Sequence, residues 1–135
     1  MNDELLEKLT TMEREVAAEK GGFRLFALFL REDSPDRWDL LVSAPWLDAN
    51  RVDGMDYLAK QVQSRLQIQE LISLSRLVFI ASDNPGLEAI FRSVHVLGGR
   101  CEVHNSNFSG LPIKHAYIIT ANNQVTADQQ DALHA

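Results

Sequence analysis

The chain has 135 residues, a formal net charge of −6 and a sequence pI of about 5.1. Hydrophobic residues make up 45% and charged residues 24%, a balance that suits one domain able to bury a core without disulfides or a structural metal. A single cysteine excludes an internal disulfide framework, and the acidic balance works against nonspecific attraction to nucleic acid or anionic lipid.

Asn2 or Asp3 caps a helix expected to run to about Lys20, in which Leu5, Leu6, Leu9, Met12 and Val16 recur at helical spacing. Glu4, Glu7, Glu13, Glu15 and Glu19 fall mostly off that stripe, on a solvated face. Gly21 and Gly22 stop the helix. Phe23–Leu30 then reads as a strand. Phe23, Leu25, Ala27 and Phe29 take one face, and Phe26, Leu28 and Leu30 the other. Apolar residues on both faces predict a strand covered on both sides and central in its sheet. Arg31–Arg37 is a charged turn, and Trp38–Ala44 is a second strand, antiparallel to the first and ended by Pro45.

Asp48, Asn50 and Asp53 are alternative caps for the next helix, whose buried stripe is Met55, Leu58, Val62 and Leu66. Gln67–Leu74 suggests a further short helix, with Ile68, Leu71 and Ile72 on one side. Arg76–Ala81 is compact, apolar and rich in β-formers, so it predicts a buried strand. Ser82–Gly86 is a strand-to-helix junction with Asp83 or Asn84 as cap and Pro85 at the first helical position. Leu87, Ile90, Phe91 and Val94 form that helix's inner face before Gly98 and Gly99 stop it. Cys101–Asn105 and Ile113–Thr120 read as a closing hairpin. From Asn122 the chain turns polar and suits a flexible tail.

The order α-β-β-α-(α)-β-α-β-β predicts an α/β (α+β) domain over residues 1–121, with a tail over 122–135. It is a mixed sheet of about five strands with helices on both faces and hairpins as its antiparallel edges. The helix–hairpin–helix opening is loosely similar to nuclease-like α/β folds. The carboxylate-x-lysine strand that marks them is absent, because Leu40 and Leu41 follow Asp39.

Three places hold candidate chemistry. In the closing hairpin, Glu102 and His104 share a face of one strand and His115 and Tyr117 share a face of the other. Register decides whether Glu102 or His104 stands opposite His115. The first arrangement is a carboxylate holding an imidazole tautomer, as a general base requires. The second is two ligands of a metal site lacking a third. An exposed polar cross-strand pair explains the same residues without function. Cys101 is either a nucleophile near His104 or His115 or a small buried apolar residue; adjacent strand residues face opposite sides, which favours the second.

The second place is the junction Ser82, Asp83 and Asn84, where ligands gather beyond strand ends in open sheets; capping alone also accounts for these residue types. The third is Asp39, which lies between apolar neighbours. It is either a catalytic acid or a carboxylate paired with Arg31 or Arg37. Trp46, beside Pro45, is either an exposed anchor for a partner or a cover for the core.

No GxGxxG, GxxxxGK[ST], GxSxG, HExxH or CxxC motif is present. The residues therefore predict a non-catalytic binding or regulatory module that associates with a protein partner or with itself as a homodimer, without cofactor or assigned metal site. The alternative is a small metal-dependent hydrolase or nuclease-like enzyme drawing on Asp39, Asp83, Glu102, His104 and His115. Nucleic acid is disfavoured as a partner by the charge. The reduced cysteine and the acidic opening MNDELLEKL, unlike a signal peptide, suggest a cytoplasmic protein without membrane attachment.

Overall fold

A computed structural model describes residues 1–34 and 36–125; most of the expected polar tail lies outside the described residues. The elements are α1 (Asp3–Lys20), β1 (Leu25–Arg31), β2 (Trp38–Ser43), α2 (Pro45–Ala49), α3 (Arg51–Arg65), α4 (Ile68–Ile72), β3 (Leu74–Phe79), α5 (Pro85–Phe91), β4 (Cys101–Phe108) and β5 (Leu111–Ala121). They form one five-stranded mixed sheet in the order β3-β2-β1-β5-β4. β2–β3 is parallel, and every other neighbouring pair is antiparallel.

β1 is the middle strand, and its residues Leu25 to Leu30 are all buried. Phe26, Leu28 and Leu30 enter a core with Leu6, Leu9, Met12 and Val16 of α1 and Leu58 and Val62 of α3. Leu25, Ala27 and Phe29 enter a second core with Leu87 and Phe91 of α5 and Ile113, Ala116 and Ile118 of β5. Each Leu, Ile, Val, Met or Phe side chain among these contributes about 1.5–3 kcal/mol by leaving water, so the strand that serves both layers fixes the fold. Phe23 departs from the expected alternation. The strand begins only at Leu25, and Phe23 packs edge-on against Phe26 in the first core, at 5.1 Å.

Local chemistry sets the helix ends. The Asn2 side chain accepts from the Leu5 N–H at 2.8 Å, and Gly21 leaves α1 at φ 121°, a conformation that favours glycine. Asn84 caps α5 by accepting from the Gly86 N–H, with Pro85 as first helical residue.

Several expectations are corrected. Glu13, expected on the solvated face of α1, is 2% exposed. Burial pushes its carboxyl above the usual range, and a hydrogen bond with Thr120 pulls the other way. Pro45 does more than end β2: it starts the extra helix α2, with Ala44 as its cap. Ile68 and Ile72 do not join Leu71 against the core; they are 77% and 60% exposed. The strand expected from Arg76 starts at Leu74 and is a half-exposed edge, not a buried strand. It pairs in parallel with β2, so the opening hairpin lies inside the sheet, and only the closing hairpin supplies an antiparallel edge. Among the described residues, no helix is long and apolar enough to cross a membrane.

Candidate functional site

The closing hairpin turns at Ser109 and Gly110, both at positive φ (51° and 85°). A two-residue turn of this kind matches the twist of the strands it joins. Pairing outward from it sets Phe108 opposite Leu111, His104 opposite His115 and Glu102 opposite Tyr117. Of the two registers weighed from the sequence, His104 opposite His115 is the one that occurs, and Glu102 stands opposite Tyr117 instead of His115. The imidazoles of His104 and His115 stack, with centroids 4.2 Å apart and planes 18° apart. Glu102 reaches diagonally across: its Oε1 lies 2.9 Å from His115 Nε2 and its Oε2 3.7 Å from His104 Nε2.

One donor atom from each of Glu102, His104 and His115 lies within 4.8 Å of the others. The His115 hydrogen bond, the larger influence, and the neighbouring Tyr117 hydroxyl hold Glu102 below the usual carboxylate range. Partial burial and the nearby Glu102 push the Tyr117 phenol up, burial being the larger cause.

The cluster faces the α1 side of the sheet, beyond the buried Trp38. That indole meets His115 at 5.3 Å and Tyr117 at 5.4 Å. These rings leave the His115 side chain 18% exposed, whereas His104 is 60% and Glu102 44% exposed. Arg100, just before β4, is paired with Asp3 at the start of α1. Cys101 faces the opposite side, against the α5 core.

The other candidates do not join this cluster. Asp39 points to the α5 face, where Arg31 and Arg76 bind its buried carboxylate; Arg76, which becomes a neighbour only through parallel pairing, was not legible as a partner. Asp83 is exposed beside the α5 cap. Ser82 donates through its N–H and its hydroxyl to Asp48. Asn84 is engaged by the Gly86 N–H and by the Ser109 hydroxyl at 3.3 Å. Trp46 turns back over the core: its indole N–H donates to the Gly21 carbonyl at 2.9 Å, and its ring meets Phe23 at 5.7 Å.

A further surface lies at the opposite edge of the sheet. Ala59, Val62 and Gln63 of α3, Leu71 of α4 and Leu74 and Leu77 of β3 line a groove of about 170 Å³. Ile68 and Ile72 stand exposed on α4, which runs into β3 through Ser73. No protein-family model, curated protein or solved structure matches the chain.

Proposed function

We propose that this protein is a non-catalytic association module that pairs with a second copy of itself along β3. The observation that carries the reading is the outer side of β3, which pairs with no other strand among the described residues. An open strand edge presents a row of unpaired N–H and C=O groups and is a template for another strand. The two edges of the sheet differ. β4 is blunted by the polar, mostly exposed run Glu102 to Asn107 and suits water. β3 carries Leu74, Leu77, Val78 and Phe79, half-exposed, beside Ile68 and Ile72.

A second copy fits this edge because backbone pairing about a twofold axis is self-complementary. It also brings apolar α4 surfaces into the same interface. The charge of Arg76, which a copy would meet as a like charge, is already balanced by Asp39. Hydrogen exchange at low and high protein concentration tests the reading: amides of Leu74–Phe79 should exchange more slowly in the concentrated sample. Concentration-independent exchange there argues against it.

A second reading, metal-assisted hydrolysis, is favoured by the convergence of Glu102, His104 and His115, because three ligands would leave coordination positions for water. Turnover of activated ester and phosphodiester substrates by the zinc-loaded protein, lost in His104→Ala, tests it.

A further inference from the structure

We infer that Glu102, His104 and His115 form a binding site for a divalent first-row transition ion of the zinc class. The inference rests on the metal-binding half of the second reading and needs no catalysis. Two imidazoles and one carboxylate are a borderline donor set, suited to zinc, nickel or copper, whereas magnesium and calcium select oxygen. One donor atom from each residue lies within 4.8 Å of the others, so a small side-chain adjustment brings them to the spacing of roughly 3.3 Å between ligands that sit about 2.0–2.1 Å from a tetrahedral ion.

The three ligands are unequally prepared. Trp38 and Tyr117 pack against the His115 ring, and His115 in turn hydrogen-bonds Glu102 at 2.9 Å. Two ligands are thus oriented before any ion arrives, the role that outer hydrogen bonds play around metal sites. His104 stacks on His115 but is largely exposed, so its imidazole is free to rotate onto the ion. Binding replaces the Glu102–His115 hydrogen bond with two bonds to the metal. The carboxylate supplies negative charge to the ion.

The packing also provides the measurement. Trp38 lies 5.3 Å from His115, and the chain has one other tryptophan, Trp46. In Trp46→Phe, emission comes from Trp38 alone, and nickel bound at the site should quench it saturably with one ion per chain. Zinc, which does not quench, should restore emission by displacement, while magnesium and calcium should do neither. Placing His104→Ala or Glu102→Gln in that background should weaken nickel at least about tenfold; both residues are well exposed, so these variants should fold. The inference is overturned if quenching does not saturate, or if neither variant changes it. Saturable binding without hydrolysis of any substrate would remove the catalytic reading and leave the metal site standing.

Discussion

Asp39 on β2 holds the edge strand through Arg76 on β3: Arg76 Nη2 lies 2.9 Å from Asp39 Oδ2 and Nε lies 3.3 Å from Oδ1. Arg31 of β1 donates to the same Oδ2 from 3.0 Å. The carboxylate thus ties three adjacent strands together from a buried position, and it orders the strand on which the proposed association depends.

The partners are not equivalent when removed. Losing both arginines strands a carboxylate that is 3% exposed, a situation that costs about 3–5 kcal/mol. Losing the acid instead frees Arg76, already 52% exposed, to turn toward water, and leaves Arg31 its pairing with Asp33. Arg31→Ala combined with Arg76→Ala should therefore destabilise the protein by more than Asp39→Leu does. Urea unfolding of the two variants checks the order.

Glu13 gives a pH dependence of known sign. Its folded-state pKa is raised, burial being the main cause, so folding favours the protonated form. Below the ordinary glutamate range the acid is protonated whether folded or unfolded, and wild type should match Glu13→Gln. As pH rises through that range and through the raised value, wild type should lose stability relative to the glutamine variant. Melting temperatures at about pH 3 and pH 8, on either side of that window, read the difference. A gap that narrows at the higher pH contradicts the assignment.

The hairpin tip provides two glycine tests with different causes. A Cβ on Gly110 would meet nothing within 4 Å, but φ is 85°, so Gly110→Ala should cost about 1–2 kcal/mol through the backbone alone. A Cβ on Gly86 would sit 2.6 Å from Phe108 Cε2 and from Ser109 Oγ, so Gly86→Ala should drive α5 away from the hairpin. That overpacking costs about 1–3 kcal/mol. Only Gly86→Ala should alter the near-ultraviolet signal from Phe108 and Phe29, whose rings meet at 5.4 Å.

Local signals carried much of the fold. The apolar faces of Leu25–Leu30 marked the central strand, and Asn84–Pro85 marked the start of α5. Strand order was not legible, because apolar content does not distinguish a buried strand from an edge. Leu77, Val78 and Phe79 read as core, yet they are half-exposed on the edge strand, whereas Ile80 just beyond it is buried. The hairpin cluster was half legible. Its three residues stood out, but their register hung on Ser109, a non-glycine residue at positive φ. Once the turn is placed at Ser109–Gly110, counting outward puts His104 opposite His115. The diagonal reach of Glu102 follows from side-chain length and strand twist, which spacing alone does not give.

Sedimentation velocity across a concentration series tests the proposed association most directly, with Ile68→Glu/Ile72→Glu as the comparison. Wild type should shift from monomer to dimer as concentration rises. The variant should stay monomeric while keeping its melting temperature, because both side chains already face solvent. A wild-type protein that sediments as a monomer throughout, or a variant that dimerises equally well, would contradict pairing along β3.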